Sequence, residues 1–303
     1  MSLQFFAAFL VSVFSFFSLL SPAPAAYEPK EAGALLNAAV LTDLHIGPRN
    51  PILQYNVNKA FRGTSAARDG ADALVLLGDN TMDGMEQQSA LFFAALKAHS
   101  KAANNLPVVG NHDLWGMGSY LNGKNRFISY VNEFTSNGID NIYYHRVING
   151  YYFIVLGTES DMHTTGHITD TQISWLDARL AEATAGGRPA FVFHHFPMIR
   201  VPEPERLENV LRAYPNVFYF SGHMHRALGS NTFIKAGDSL YYIDVPGFDG
   251  AEDDIWNYLG HGFQIEAYEG KVLIRARDYI RGEWLTEYEY SVDLVQESQE
   301  DAA

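Results

Sequence analysis

The sequence predicts an α/β fold built around a largely parallel β-sheet. Short apolar runs alternate with longer segments in which apolar residues recur at helical spacing. This alternation is typical of βαβ units, in which a crossover helix connects two parallel strands. Beyond residue 230 the pattern changes to short stretches in which apolar and polar residues alternate. These stretches predict antiparallel strands.

The first half of the chain contains three predicted strands with two helices between them. Residues 37–43, 71–80 and 106–111 are compact apolar runs and predict buried strands. Residues 53–70 predict a helix that ends at a glycine, and residues 85–103 place apolar side chains on one helical stripe. These elements form two consecutive crossover units.

The second half repeats this order. Residues 151–160, 189–196 and 216–225 predict strands, and residues 169–187 and 204–215 predict the helices between them. The stretches "SLYYIDV", "GFQIEAY", "KVLIRARDY" and "TEYEYSV" follow, separated by glycine-containing turns. We expect them to form an antiparallel sheet that packs against the first sheet.

Composition limits the classes of function. The chain has 303 residues, of which 47% are hydrophobic, enough to bury one large core. Lys and Arg number 21 against 35 Asp and Glu, and the net charge of −14 argues against non-specific nucleic-acid binding. There is no cysteine, so any metal must be held by His, Asp, Glu or Asn.

The two ends of the chain differ from its centre. Residues 1–26 carry no charge and end in small residues, which predicts a secretory signal peptide and a secreted or cell-envelope protein. No Lys or Arg precedes the apolar run, so an uncleaved N-terminal anchor that contacts the membrane remains the alternative. We expect one domain over residues 27–295 and a solvated acidic tail over residues 296–303.

Polar side chains follow five predicted strands at the point where each strand ends. Open α/β sheets place their ligand sites at the carboxyl ends of strands. The side chains are those of Asp43, His45, Asp79, Asn111, His112, His194, His223 and His225. Together they supply two carboxylates, one amide and five imidazoles. These are the nitrogen and oxygen ligands of a mixed-ligand metal site.

The spacing of these residues favours a shared site. In an extended chain, residues two apart point to the same side, so Asp43 and His45 can reach one small volume, as can His223 and His225. With only two carboxylates available, two cations bridged by one of them, roughly 3.5–4 Å apart, is the economical arrangement. Asp79 is the expected bridge.

The ordered motifs "DLH", "GDN", "GNHD", "HH" and "GHMH" resemble those of the calcineurin-like metallophosphoesterase superfamily, from about residue 38 to residue 247. The resemblance implies a four-layer α/β/β/α sandwich with two mixed sheets flanked by helices. It also implies a dinuclear centre of divalent Mn, Fe or Zn, whose bridging hydroxide hydrolyses phosphate mono- or diesters. Carried over by position, one metal is held by Asp43, His45, Asp79 and His225, and the other by Asp79, Asn111, His194 and His223.

The same resemblance gives catalytic roles to two residues that do not hold metal. His112 would stabilise the phosphoryl transition state or protonate the leaving oxygen. Asp113 would accept the other ring N–H of His112 and fix its tautomer. His195 is expected to pack or to support the site rather than to bind metal, because it faces the opposite side of the strand from His194.

The sequence leaves more than one branch of the superfamily and more than one substrate class open. Met82 stands where purple acid phosphatases carry a metal-binding tyrosine, and His45 in "DLH" resembles the cyclic-nucleotide and general phosphodiesterase branch. The leading expectation is a small phosphate-ester substrate. The alternatives are a phospholipid headgroup at the membrane surface, and a binding scaffold without catalysis. The sequence does not indicate an oligomeric state.

Overall fold

Two six-stranded β-sheets pack face to face, and helices cover both outer faces. The structure is a computed structural model that describes residues 27–47, 50–64, 70–116, 118–160, 163–229, 231–250 and 259–295. The expected signal peptide and the expected acidic tail lie outside the described residues. In the part of the chain that is described, no helix combines the length and apolarity needed to cross a membrane.

The elements are named in chain order. They are β1 Leu36–Leu41, α1 Pro51–Thr64, β2 Ala73–Leu77, α2 Glu86–His99, β3 Asn104–Val108, α3 Asn111–Leu114, α4 Tyr120–Phe134, β4 Tyr144–Ile148, β5 Tyr151–Val155, α5 Asp170–Thr184, β6 Ala190–Phe193, a 3₁₀ turn Met198–Arg200, α6 Pro204–Arg212, β7 Val217–Ser221, β8 Phe233–Lys235, β9 Leu240–Asp244, β10 His261–Tyr268, β11 Lys271–Asp278 and β12 Glu283–Asp293. Every strand and helix predicted before residue 230 has a counterpart in this order.

The first sheet has the order β12-β11-β10-β1-β2-β3, and the second has the order β4-β5-β6-β7-β9-β8. β1, β2 and β3 are parallel, as are β5, β6, β7 and β9. Both sheets are mixed. β10 pairs antiparallel with β1, β11 with β10 and β12 with β11 in the first sheet, and β4 pairs antiparallel with β5 in the second. The expected four-layer α/β/β/α sandwich is confirmed.

The expectation of a separate antiparallel sheet after residue 230 is wrong. β10 pairs along the free edge of β1, and β11 and β12 extend the first sheet from there. β9, which contains most of "SLYYIDV", instead joins the second sheet parallel to β7. An unpaired strand edge exposes backbone N–H and C=O groups, and this pairing satisfies them on both sheets.

Strand alternation separates two apolar cores. Phe191 and Phe193 of β6 belong to the large core that includes the side chains between the two sheets. Val192, between them in sequence, packs in a second core with Leu176 and Leu180 of α5. Neighbouring residues of β6 therefore face different layers, and this alternation decides which histidine after β6 reaches the space between the sheets.

Candidate metal centre

The strands β1, β2, β3, β6 and β7 end at one common rim, because each sheet runs these strands parallel. The residues just beyond their ends lie at this rim. They include Asp43 and His45 after β1, Asp79 after β2, Asn111 and His112 after β3, His194 and His195 after β6, and His223 and His225 after β7. The rim therefore collects the polar side chains that the sequence places at strand ends.

The backbone at this rim is strained. Five of the polar residues adopt left-handed φ angles, a conformation that costs free energy for side chains larger than glycine. The angles are 55° at Asp43, 42° at His45, 49° at Asp79, 69° at His223 and 44° at His225. Such strain persists where contacts in the surrounding fold hold the backbone in place. Here the left-handed conformation directs these side chains into the gap between the sheets.

One group of side chains surrounds Asp43. Nε2 of His225 lies 3.3 Å from Oδ1 of Asp43, and Nε2 of His45 lies 3.8 Å from the same oxygen. The two Nε2 atoms are 3.1 Å apart. Two imidazole nitrogens and a carboxylate oxygen thus converge on one small volume, as three ligands of a cation do.

A second group surrounds Asp79. Nε2 of His195 lies 3.1 Å from Oδ2 of Asp79, and a ring nitrogen of His223 completes this group within 4.8 Å. The same Oδ2 atom is 3.9 Å from Nε2 of His45 and 3.9 Å from Nε2 of His112. Asp79 is therefore the carboxylate between the two groups.

Backbone N–H groups hold the outer oxygens of both carboxylates. The N–H of His112 donates to Oδ1 of Asp79 at 2.9 Å, and the N–H of His223 donates to Oδ2 of Asp43 at 3.1 Å. A side chain at Gly110 would place its Cβ 2.2 Å from Asp79, so only glycine allows this approach. The remaining oxygen of each carboxylate points to the imidazoles.

The residues present fit a bound cation. Oδ1 of Asn111 is buried and forms no hydrogen bond with the described residues. Oδ1 of Asp43 and Nε2 of His195 are also buried, and the groups beside them are the imidazoles and carboxylates of the same gap. A buried polar atom without a partner costs about 1–3 kcal/mol. A divalent cation in the gap would provide a partner for these oxygen and nitrogen atoms.

The electrostatics of the gap also suit a cation. Burial raises the pKa of Asp43 and of Asp79, but the neighbouring imidazoles outweigh burial and hold both pKa values below the usual range. Burial lowers the pKa of His195, but Asp79 and Asp43 reverse this and raise it to about 9. Burial lowers the pKa of His223 to about 4. Both carboxylates are therefore ionised at neutral pH.

His194 does not face the gap, and the placement inferred for it from the resemblance is corrected. Its Nδ1–H donates to the hydroxyl of Tyr219 at 2.9 Å, and that hydroxyl donates to the carbonyl of Phe196 at 2.8 Å. His194 has the same parity as Val192 and faces the helix-covered side of the second sheet. Burial there lowers its pKa to about 3.

His195 takes the place that the sequence assigned to its neighbour. It continues the parity of Phe193 and enters the space between the sheets. Its Nδ1–H donates to the carbonyl of Leu77 at 2.9 Å, which leaves Nε2 directed at Asp79. Both histidines were visible in the sequence, but the structure is needed to show that Phe191 and Phe193 face the other sheet, and this parity distinguishes the two histidines.

Asp113 does not contact the ring of His112, so the expected hydrogen bond between them is also corrected. Its carboxylate accepts hydrogen bonds from the backbone and side chain of Asn80, from those of Thr81 and from the N–H of Gly110. Nδ1–H of His112 instead donates to the carbonyl of Met82 at 2.5 Å. Asp113 therefore fastens the loop after β2 to the loop after β3.

One carboxylate of this region was not identified from the sequence. Asp249 follows β9 and lies 3.0 Å from Nδ1 of His225. The signal that could have found it is the one used for the other residues, since Asp249 also lies beyond the carboxyl end of a parallel strand. It extends the site to a sixth strand.

A cavity of about 820 Å³ opens beside the two groups. His112 and His223 line it, as do Trp115, Tyr120 and His163. Three arginines also follow the ligand motifs in sequence. Arg226 pairs with Asp244 at 3.4 Å, the charge of Arg200 contributes to the lowered pKa of His223, and Arg49 lies outside the described residues.

Comparison with known proteins identifies one family and several solved structures of low sequence identity. The sequence profile described as calcineurin-like phosphoesterase matches residues 36–227, and no curated protein matches the chain significantly. A predicted phosphoesterase from Streptococcus pneumoniae is 9% identical, with a TM-score of 0.43, over 85% of this chain and 97% of that one. Vacuolar protein sorting 29 from Cryptosporidium parvum is 11% identical, with a TM-score of 0.38, over 85% and 97%. The sulfate thiohydrolase SoxB from Thermus thermophilus is 12% identical, with a TM-score of 0.47, over 88% and 58%.

Proposed function

This chain belongs to the calcineurin-like phosphoesterase family, and from that premise we propose that it hydrolyses phosphate mono- or diesters at a centre of two divalent metal ions. The observation that carries the proposal is the position of Asp79. Its Oδ2 atom lies 3.1 Å from His195 of one group and 3.9 Å from His45, which also belongs to the group around Asp43. A single carboxylate between two ligand groups is the arrangement expected of a bridge.

The ligands divide into two sets that share Asp79. One set is Asp43, His45, Asp79 and His225, and the other is Asp79, Asn111, His195 and His223. Manganese, iron(II) or zinc suits sets of imidazole, carboxylate and amide ligands. When bound, such ions polarise phosphoryl oxygens and lower the pKa of a coordinated water.

His112 is the candidate for proton transfer. The hydrogen bond from its Nδ1–H to the carbonyl of Met82 fixes the ring and leaves Nε2 directed at the gap, 3.9 Å from Asp79. Its side chain is 21% exposed, so a substrate can reach it. From this position Nε2 can hold a proton for the leaving oxygen or donate a hydrogen bond to the phosphoryl group.

The uncharged leader supports a location outside the cytoplasm. We assign residues 1–26 to a signal peptide and place the enzyme in the cell envelope or the medium. N-terminal sequencing of the protein from its native host tests this assignment. A first residue near Tyr27 is the expected result, and an intact leader would place the protein at the membrane.

Hydrolysis of 4-nitrophenyl phosphate and bis(4-nitrophenyl) phosphate tests the function. Metal-free protein is loaded with Mn(II) or Zn(II) and compared with an Asp79→Ala variant prepared in the same way. Wild-type protein should release 4-nitrophenol from at least one ester, and the variant should lose at least about 100-fold in rate. Wild-type protein as inactive as the variant would favour a binding scaffold instead.

A further inference from the structure

The cavity beside the candidate metal centre has an aromatic wall next to His112. The rings of Trp115 and His112 lie 3.8 Å apart between centroids. His163 packs edge-on against Trp115 at 4.9 Å, and Tyr120 lines the same cavity. An alcohol group that leaves phosphorus on the side of His112 is therefore close to the ring of Trp115.

The described residues that line this cavity offer no charged Lys or Arg side chain to an anionic group. Among the described residues that line it there is no Lys, Arg, Asp or Glu. The polar side-chain groups of these residues are imidazoles, hydroxyls, one amide and one indole N–H. In a protein of net charge −14, an alcohol that carries its own phosphates would find no Lys or Arg among these residues to pair with them.

Two large apolar side chains that neighbour lining residues of the cavity are exposed. Leu121, next to Tyr120, is 60% exposed, and Met85 is 44% exposed. Gly116 also lines the cavity, and the sulfur of Met85 lies close to it. A Cβ added at Gly116 would be 3.0 Å from this sulfur. Exposed large apolar side chains next to a cavity favour binding of an apolar ligand group.

We propose that the cavity walled by Trp115 and Tyr120 binds the alcohol part of the substrate, and that the preferred esters carry an uncharged aromatic or other large apolar alcohol. This substrate class rests on the proposed function, because it presumes that phosphorus is held at the Asp79 centre. Trp115 is the residue that determines specificity, since its ring lies directly beyond His112.

Inhibition by stable phosphonates separates binding from leaving-group chemistry. Naphthylmethylphosphonate, its sulfonated analogue and methylphosphonate are compared as inhibitors of methyl 4-nitrophenyl phosphate hydrolysis by the Mn(II)-loaded full chain. Wild-type protein should bind the naphthyl compound at least about tenfold more tightly than the methyl compound. The sulfonated analogue should lose most of this preference.

Variants of two tryptophans complete the test. Trp115→Ala should reduce the naphthyl preference to about twofold or less, while Trp115→Phe should retain most of it. Trp175→Ala is the matched control, because Trp175 packs on Tyr143 at 5.0 Å and does not line this cavity. It should keep the wild-type preference.

Two results would overturn the inference: equal inhibition by the naphthyl and methyl compounds in wild-type protein, or a preference that Trp115→Ala leaves unchanged. If the protein hydrolyses neither this diester nor 4-nitrophenyl phosphate, the proposed function fails. Calorimetric titration of the same three phosphonates into the metal-loaded protein then measures the preference without turnover, so the two failures are distinguishable.

Discussion

The Nδ1 atom of His225 lies 3.0 Å from the carboxylate of Asp249. Burial lowers the pKa of His225, but Asp249 and Asp43 outweigh burial and raise it to about 11. A carboxylate at Nδ1 fixes the tautomer in which Nε2 is available as a ligand, and it orients the ring toward the metal position. His225 and His195 are thus oriented in the same way: an acceptor at Nδ1 of each ring directs its Nε2 into the gap.

Replacing Asp249 with asparagine should weaken metal binding without removing a ligand. The variant loses the charge that orients His225, and we expect a fall of about 10–100-fold in affinity for Mn(II) or Zn(II). Competition with a chromophoric chelator measures this affinity. Asp238→Asn is the control, since Asp238 is an exposed carboxylate in the turn between β8 and β9. Equal affinities for all three proteins would exclude the orienting role.

The neighbours His194 and His195 should respond differently to alanine. His195→Ala removes the imidazole that we propose as a metal ligand in the Asp79 group, so the protein should bind fewer ions and lose activity. His194→Ala should keep the metal content of the wild type and lose about 1–3 kcal/mol of unfolding free energy, because His194 is fully buried and bonds to Tyr219. Elemental analysis and urea denaturation measure the two quantities. A loss of metal from the His194 variant, with full metal in the His195 variant, would reverse the assignment.

The sequence predicted the elements of the fold more completely than their pairing. The alternation of apolar runs with helical segments was enough to predict the parallel strands, because each run is compact and largely apolar. Strand pairing after residue 230 depends on which sheet edge is free, and that is a property of the assembled sandwich. β10 found its partner at β1, more than two hundred residues earlier in the chain.

The candidate site was also predicted in part. Position at strand ends gave Asp43, Asp79, His223 and their neighbours, since local sequence determines where a strand ends. The choice between His194 and His195 needed the parity of β6 relative to the other sheet, which adjacent identical residues do not reveal. The partner of Asp113 depends on a contact between two loops, and no spacing within "GNHD" specifies it.

Asp244 should make the unfolding free energy depend on pH. Burial and the charge of Asp43 raise its pKa from 3.8 to about 7, although Arg226 partly opposes this shift. Between about pH 4 and pH 7 the unfolded chain releases this proton while the folded chain retains it, so this group destabilises the fold as pH rises.

Asp244→Asn removes this titration. In metal-free protein, the stability of the variant relative to wild type should increase from pH 4.5 to pH 7 and remain constant above it. Urea unfolding at pH 4.5, 6 and 8 measures the difference. A relative stability that falls over this range would mean that the ion pair with Arg226 lowers the pKa of Asp244 instead.

The central claim is that Asp79 bridges two cations held by side chains from both sheets. A crystal structure of the protein grown with Mn(II), with an anomalous difference map collected at the manganese edge, tests it most directly. We predict two peaks roughly 3.5–4 Å apart, with Asp79 between them, His195 and His223 at one and His45 and His225 at the other. A single peak, or two peaks of which one is out of reach of Asp79, would contradict the account.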